Sequence, residues 1–295
     1  MKPEPAADAT PPYARQTWQT LEPYHGAVYF SPEAQARYGE LGSSGQAAYF
    51  ASRAAALGPA PAELVIATFY NFNPVAVRAA LPAAWETAPP AAFLAARLRG
   101  IDATLRRVLG EDIASTRLRR AAELARRAAE AAQPLLQGRP LFAAHAALPW
   151  PDEPHLVLWH AQTLLREFRG DGHIQALLGA ALNGLEALVT HAATGAVPAE
   201  TLRTTRSWSP QDWARATDGL RERGWLTDDA DLVLTAEGRE RRATVERVTD
   251  RLAAEPYTSL GPDACEELRD LARPYSRALA QDLMPWAVER LDRSR

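Results

Sequence analysis

Sequence motifs typical of helix N-termini recur along the chain and favour a mainly helical fold. Ser31-Pro32-Glu33 and Ser209-Pro210-Gln-Asp212 each place a serine at the N-cap, a proline at the first helical position and an acid in the first turn. Asn73-Pro74 begins a helix in a similar way. Residues 91–109 carry apolar side chains at spacings of three and four, which is typical of an amphipathic helix. We therefore predict a mainly α, multi-helical protein.

Two segments predict small β-hairpins within this helical background. In residues 140–158, short apolar runs flank a proline-rich stretch, and we interpret them as a hairpin with a stiff tip. Residues 225–234 have the pattern of strand, acidic turn and strand. The helix at 92–105 also aligns with residues 176–189, so two duplicated lobes with winged-helix-type hairpins are an alternative arrangement.

Composition limits the compartments and partners that we expect. The chain has 295 residues and a formal net charge of −3, which argues against a surface that binds nucleic acid all over. Cys265 is the only cysteine, so an intrachain disulfide is impossible. We find no signal peptide and no apolar run of the roughly 20 residues that a membrane span needs. We expect a cytoplasmic protein that does not bind membranes.

The chain divides into three parts by its composition and turn signals. Residues 1–14 are rich in proline and alanine and predict a disordered arm. Residues 15–195 predict a helical domain that includes the hairpin near 140–158. Residues 196–295 predict a winged-helix-like domain followed by a C-terminal helix.

Residues 207–252 resemble a MarR-like winged helix. The matching words are Gly219-Leu-Arg-Glu-Arg-Gly-Trp-Leu226 and Leu234-Thr-Ala-Glu-Gly-Arg-Glu-Arg241. The resemblance implies that the first word ends the recognition helix and that the second follows the wing. The wing tip, Asp228-Asp-Ala-Asp231, departs from that pattern because a wing that contacts phosphate needs Arg or Lys. Nucleic acid is therefore a disfavoured partner.

The whole chain also resembles a family of helical proteins from high-GC bacteria that carry this module. The shared words are Tyr70-Asn-Phe-Asn-Pro74, Trp159-His-Ala161 and Arg166-Glu-Phe-Arg-Gly-Asp-Gly-His173. This second resemblance implies no particular activity.

The central stretch, residues 156–173, combines side chains that could carry chemistry with a strongly apolar helix that follows it. We predict that one helix ends at Gly170 and that Asp171 caps the next. His173 would lie in the first turn of that helix, where the dipole favours a neutral imidazole. The candidate catalytic residues are His25, His160, Asp171 and His173.

Three of these candidates could also hold a metal ion. If His25, His160 and His173 meet in the fold, three imidazoles would form a catalytic type of metal site with an open position. No His-Glu-x-x-His word supports such a site. A purely structural role for each histidine stays open, and the sequence identifies no cofactor.

Aromatic and charged side chains near the central stretch predict a ligand pocket between helical lobes. The candidate ligand-binding residues are Tyr29, Tyr70, Asn71, Trp159, Arg166, Arg169 and Glu186. Arg166 and Arg169 would favour an anionic group on the ligand. Glu186 could instead form an ordinary salt bridge, and the aromatic residues could simply fill the core.

Three functions remain open at this point. The chain lacks a glycine-rich phosphate loop, a Gly-x-Ser-x-Gly word and a dinucleotide-binding fingerprint. We favour a protein that binds a small, anionic molecule and has a regulatory role. The alternatives are an enzyme that uses the His/Arg/Asp cluster, with or without a metal or cofactor, and a MarR-like DNA-binding regulator. Assembly into a homo-oligomer is also left open.

Overall fold

The structure, a computed structural model, describes residues 10–293 apart from the side chains of residues 290, 292 and 293. Within this range most of the chain is helical. The helices are α1 (Pro12–Gly26), α2 (Pro32–Glu40), α3 (Gly45–Ala54), α4 (Ala62–Phe69), α5 (Pro74–Ala80), α6 (Ala83–Thr87), α7 (Pro90–Leu109), α8 (Thr116–Ala132), α9 (Pro140–Ala146), α10 (Pro154–Gly179), α11 (Gly184–Ala192), α12 (Ala199–Thr205), α13 (Pro210–Glu222), α14 (Ala236–Ala253), α15 (Glu255–Leu260), α16 (Pro262–Leu283) and α17 (Pro285–Arg293). Residues 1–9 of the predicted arm lie outside the described residues, whereas α1 already begins at Pro12.

The predicted helix starts agree with the structure where a side chain caps the helix. Ser31, Asn73 and Ser209 each accept a hydrogen bond from a backbone N–H in the first turn of the following helix. Thr235 does the same for α14. These bonds satisfy backbone N–H donors that a helix leaves free at its N-terminus. The short capping motifs therefore set where these helices begin.

The predicted hairpin at 140–158 is wrong. Residues 140–146 form α9 and residues 154–179 form the continuous helix α10. Pro140 and Pro154 occupy first-turn positions, where a missing N–H costs nothing. Most of α10 is buried on several sides, so its apolar run lacks the one-sided pattern that separates a helix from a buried strand.

The predicted boundary at Gly170-Asp171 is also wrong, because both residues lie inside α10. The Asp171 carboxylate instead accepts a hydrogen bond of 2.9 Å from the backbone N–H of Phe142, in the first turn of α9. Asp171 therefore satisfies the N-terminus of a neighbouring helix rather than its own.

The apolar segment 174–191 is two helices rather than one. α10 ends at Gly179, and Asn183 caps α11 together with Glu186. Residues 92–105, by contrast, lie in the uninterrupted helix α7. The aligned segments therefore differ in structure, and the duplicated lobes are not supported.

The buried apolar side chains form two separate cores. The larger core joins α1–α10, α15, α16 and the start of α17, and we call this part the helical body. The smaller core lies among α11, α12, α13 and residues 223–235, which we call the small unit. The end of α10 and Val245 of α14 also contribute to it, so α10 runs from one core into the other.

The small unit has only a trace of the predicted wing. Leu226 and Leu234 form one isolated antiparallel bridge, and no strand is formed among residues 10–293. Two backbone hydrogen bonds flank the bridge, from Thr227 N–H to Val233 and from Thr235 N–H to Trp225. The acidic residues between them form a loop, so the predicted winged-helix hairpin is not supported as β structure.

Among the described residues, no helix has both the length and the apolar character that a membrane span requires.

Candidate functional site

A cleft of about 990 Å³ opens between α1, α3, α10 and α17. We call it the outer cleft. A second cavity of about 330 Å³, which we call the inner pocket, lies between α10, α11 and α14. The residues that line both are Trp18, Glu22, Tyr49, Phe72, Arg166 and Arg206. The two spaces therefore share one wall, and this wall joins the helical body to the chain that enters the small unit.

Glu167 balances two arginines near this wall. Its carboxylate, 1% exposed, lies 3.1 Å from Nη2 of Arg53 and 3.3 Å from Nη1 of Arg166. Burial alone would raise the pKa of Glu167, but the two guanidinium groups outweigh burial and lower the pKa to about 2. Arg166 also pairs with Glu22 at 2.9 Å. The buried charges of this network are thus compensated.

Arg206 has no such compensation. Its Nη1 donates to the Thr205 hydroxyl at 2.7 Å, its guanidinium lies 5.4 Å from the Phe72 ring centroid, and its Nε is buried without a partner. No carboxylate among the described residues pairs with it. Burial lowers the pKa of Arg206, and the neighbouring cations Arg53 and Arg166 lower it further. The wall therefore carries more positive than negative charge.

Two turns at this wall have a strained backbone conformation. Tyr70 has φ 59° and ψ −54°, and the Asn71 N–H bonds to the Phe69 carbonyl across it, which describes a rare γ-turn. Ser207, next to Arg206, also has φ 59°. Both conformations cost energy for residues other than glycine, so the surrounding contacts must hold them in place.

The two turns bond to each other. Asn73 donates from its backbone to the Arg206 carbonyl at 3.0 Å and from its side chain to the Ser207 carbonyl at 2.9 Å. The Trp208 indole donates to the Asn71 carbonyl at 2.9 Å. Gly184 fits against the same turn, since an added Cβ would lie 1.9 Å from the Tyr70 carbonyl oxygen. The helical body and the small unit thus meet at the wall of the cleft.

The inner pocket contains Asp171 and His173. Burial raises the pKa of Asp171 to about 7, although the bond from Phe142 opposes this shift. His173 lies 2.9 Å from the Thr249 hydroxyl, which itself donates to the Val245 carbonyl. Nδ1 of His173 must therefore be the donor, and burial lowers the pKa of this histidine to about 4.

The structure does not assemble the three predicted metal-binding histidines. His160 and His173 lie thirteen positions apart on the continuous helix α10, so the rise of about 1.5 Å per residue separates them by about 20 Å. His25 instead contacts Thr163 at 3.0 Å and Tyr29 at 3.1 Å. No group of three potential metal ligands occurs among the described residues.

The other candidate ligand-binding residues divide between cleft and structural contacts. Tyr29 and Arg166 line the outer cleft, and Tyr70, Asn71 and Arg169 line the inner pocket. Glu186 caps α11 and pairs with Arg223 at 2.7 Å. Trp159 is buried behind the cleft, where it stacks on His25 with ring centroids 6.0 Å apart.

A model of a helix-turn-helix family matches residues 14–285. The chain belongs to a helix-turn-helix family. The match covers the helical body as well as the small unit, so both are parts of the family's structure. No curated protein and no solved structure matches the chain. The predicted helix-turn-helix character is thereby confirmed, whereas the MarR-like assignment stays a prediction.

Helix α13 corresponds to the recognition helix of the MarR-like resemblance, and the arginines on it and at its C-terminal end are already paired. Arg215 bonds to Asp212, Arg221 lies 3.1 Å from Asp218, and Arg223 pairs with Glu186. Residues 209–235 contain six acidic residues and three arginines. This face of the helix-turn-helix protein therefore presents little free positive charge to phosphate.

The sequence pointed to Arg166 but missed other residues of the cleft wall. Arg53, Tyr49 and Trp18 lie in helices of the first 60 residues and carry no local signal. Arg206 lies just before the Ser209-Pro210 helix start. In the sequence it is therefore indistinguishable from any residue of a turn between two helices. Only the packing of distant helices brings these four residues together.

Proposed function

We propose that the protein binds a small anionic molecule in the outer cleft and that the small unit responds to this binding. The ligand's negative group would lie against Arg206 and Arg166. The observation that carries this proposal is the half-buried guanidinium of Arg206, whose Nε is buried without a partner and which pairs with no carboxylate among the described residues. An anion at this wall would supply the missing charge.

Two further groups support a ligand that is both anionic and capable of hydrogen bonding. The indole N–H of Trp18 is buried without a partner and can only donate. One carboxylate oxygen of Glu22 is also buried without a partner and can accept. Both side chains line the outer cleft and the inner pocket. A ligand with an anionic group and an N–H or O–H donor would satisfy all three residues.

The position of Arg206 supports a coupling between the ligand and the small unit. Arg206 follows α12, and Ser209 caps α13 three positions later. The strained Ser207 and its bonds to Asn73 and Gln46 lie between them. A ligand that draws Arg206 towards the cleft would bias this turn and hence the orientation of α13.

Binding of 1-anilinonaphthalene-8-sulfonate tests the proposal, because this probe combines a sulfonate, an N–H donor and an apolar ring system. We expect saturable fluorescence enhancement with one site per chain. Arg206→Ala should weaken the affinity about tenfold or more, which corresponds to about 1.4 kcal/mol. Arg215→Ala is a matched control, because Arg215 is exposed on α13 and distant from the cleft lining.

Equal affinity in the wild type and Arg206→Ala would overturn the site. Native mass spectrometry of the purified wild type provides an independent readout, since a co-purified anion should be depleted in Arg206→Ala. Loss of probe binding in Arg215→Ala as well would show that the dye reports general folding rather than the cleft.

DNA binding is a second candidate, favoured by the family to which the chain belongs. Because the arginines of α13 are paired with acids, we expect weak duplex binding that falls only slowly with salt. A mobility-shift titration from about 50 to 200 mM salt measures this. Tight binding with a steep salt dependence would favour a conventional DNA-binding role.

A further inference from the structure

A second cluster of polar side chains lies deeper in the helical body, behind the outer cleft. We call it the Arg97 cluster, which consists of Arg97 on α7, His145 on α9, and Trp159 and His160 on α10. All four side chains are at least nine-tenths buried, with 2, 2, 5 and 6% exposure. None of the four lines the outer cleft or the inner pocket, and the cluster adjoins the outer cleft through Tyr29, whose ring centroid lies 5.8 Å from the Arg97 guanidinium.

Arg97 is a buried cation without a counter-charge among the described residues. Its only hydrogen bond there is a long one, 3.5 Å from Nη1 to the Ser52 carbonyl, while Nε and Nη2 have no partner. Glu167, the nearby buried carboxylate of α10, already pairs with Arg53 and Arg166. Burial of an uncompensated charge is strongly unfavourable, so Arg97 requires an explanation.

The groups around Arg97 lack partners too. The indole N–H of Trp159 and Nε2 of both His145 and His160 are buried and unpaired. The Arg97 guanidinium lies 5.1 Å from the Trp159 ring centroid, and it lowers the pKa of both histidines after burial, to about 3 for His145 and about 4 for His160. Both imidazoles are therefore neutral at pH 7, and either can donate from Nε2 in the appropriate tautomer.

We propose that the Arg97 cluster is a binding site for a small monoanion, of the size of a halide, nitrate or formate. Arg97 and Trp159 can only donate hydrogen bonds, so the occupant must accept them. A metal cation would be repelled by the guanidinium. A water molecule would satisfy donors but would leave the charge uncompensated. A monoanion supplies both the acceptor and the charge.

Thermal unfolding of the full chain in a chloride-free buffer tests this site. The probes are sodium bromide, nitrate and formate, each compared with sodium sulfate at equal ionic strength, since sulfate is larger and doubly charged. We expect a saturable rise in Tm at millimolar monoanion for the wild type. Arg97→Met should lose the rise. Arg99→Met is the matched control, because Arg99 is exposed two positions later on α7, and it should keep the rise.

The same variants separate an anion site from a structural arginine. Without added monoanion, Arg97→Met should be at least as stable as the wild type, because it removes an uncompensated buried charge. If Arg97→Met does not fold, Trp159→Phe removes one donor and keeps the ring, and it should weaken the monoanion response about fivefold. Probe binding to the outer cleft should survive in both folded variants.

Three outcomes would overturn the proposal. These are no saturable response in the wild type, the same response in Arg97→Met, and an unchanged midpoint in Trp159→Phe. Crystals soaked in bromide add a structural readout, and an anomalous peak beside Arg97 supports the site when the solution response is also present. A peak without a solution response is an adventitious ion only, and it would refute a physiological site.

Discussion

Arg206 at the cleft wall and the arginines of α13 differ in whether an acidic side chain balances their charge. At the cleft wall, Arg206 is half-buried, its Nε is buried without a partner, and no carboxylate among the described residues pairs with it. On α13, Arg215 is exposed and Arg221 is partly exposed, and each pairs with an acid three positions earlier. Arg53 and Arg166 near the same wall are balanced by Glu167 and Glu22. Arg206 therefore differs both from these arginines and from those of α13.

This difference indicates where an anion would be stabilised most. A charge pair in a partly buried site is screened less by water and salt than an exposed pair. An exposed Arg–Asp pair contributes little to stability, but it also leaves little field for a phosphate. The comparison therefore favours the cleft wall over α13 as the place where the proposed anion would bind.

The largest effect should follow from Glu167→Gln. This change leaves Arg53 and Arg166 without their shared buried counter-charge, and we expect a loss of about 3–5 kcal/mol in the free energy of unfolding. Urea denaturation at pH 7 measures it. The pH dependence has a definite sign, because the pKa of Glu167 falls from 4.5 unfolded to about 2 folded. Its stabilising effect is present above pH 4.5 and is lost as the pH falls towards 2.

The matched control is Glu63→Gln. Glu63 pairs with Arg78, and both side chains are largely exposed. We expect no measurable change in urea denaturation for this variant. Equal losses in the two variants would mean that burial does not distinguish interior from exterior ion pairs in this protein.

Asp171→Asn compares two buried acids of α10, since Asp171 lies one helical turn after Glu167 but has no ion pair among the described residues. Asp171 is 4% exposed, and burial raises its pKa from 3.8 to about 7. Its protonated form therefore stabilises the fold below pH 3.8, and this contribution is lost as the pH rises towards 7. The asparagine can still accept from Phe142. The variant should become more stable relative to the wild type by up to about 3 kcal/mol between about pH 4 and pH 7.

Urea denaturation at several pH values measures this difference. Parallel stability curves for wild type and Asp171→Asn would show that Asp171 is ionised throughout, and the contrast with Glu167 would be wrong. Asp263→Asn is a suitable control, since it removes a carboxylate that is exposed in the first turn of α16.

Local chemistry in the sequence predicted part of the fold. Ser31, Asn73 and Ser209 are recognisable as helix caps because capping depends on residues a few positions apart. The hairpin at 140–158 failed because α10 is buried on several sides. A helix surrounded by neighbours has no polar face, so periodicity cannot separate it from a buried strand. The helix-turn-helix character is confirmed by the family, although the predicted wing is only one bridge.

The candidate site was less predictable because charge depends on distant partners. Glu167 and Asp171 are both acids on α10, yet the structure assigns them pKa values of about 2 and about 7. The difference comes from Arg53 and Arg166, which both pair with Glu167 and not with Asp171. Arg53 lies 114 positions before Glu167, so no local pattern shows this pair. Likewise, no residue near Arg206 in the sequence shows that its neighbours in the fold are the cations Arg53 and Arg166, or that no acidic side chain pairs with it.

The smallest effect should come from the loop of the small unit. Asp228 and Asp231 are exposed at the tip of the loop between Leu226 and Leu234. The double change Asp228→Arg and Asp231→Arg removes acids where a wing would contact phosphate. We expect tighter binding to a duplex at about 50 mM salt and a steeper loss with salt, by about 0.9 in the log–log slope for each additional phosphate that the loop neutralises. Fluorescence anisotropy with a labelled duplex measures both quantities.

The control is the double change Asp263→Arg and Glu266→Arg on the exposed side of α16, which alters net charge by the same amount. Equal tightening in both variants would show that bulk charge, not the loop, governs the binding. Steep salt dependence in the wild type would contradict the comparison itself. The arginines of α13 would then break their ion pairs with Asp212 and Asp218 and bind phosphate instead. The exterior of the small unit would in that case be an anion-binding surface.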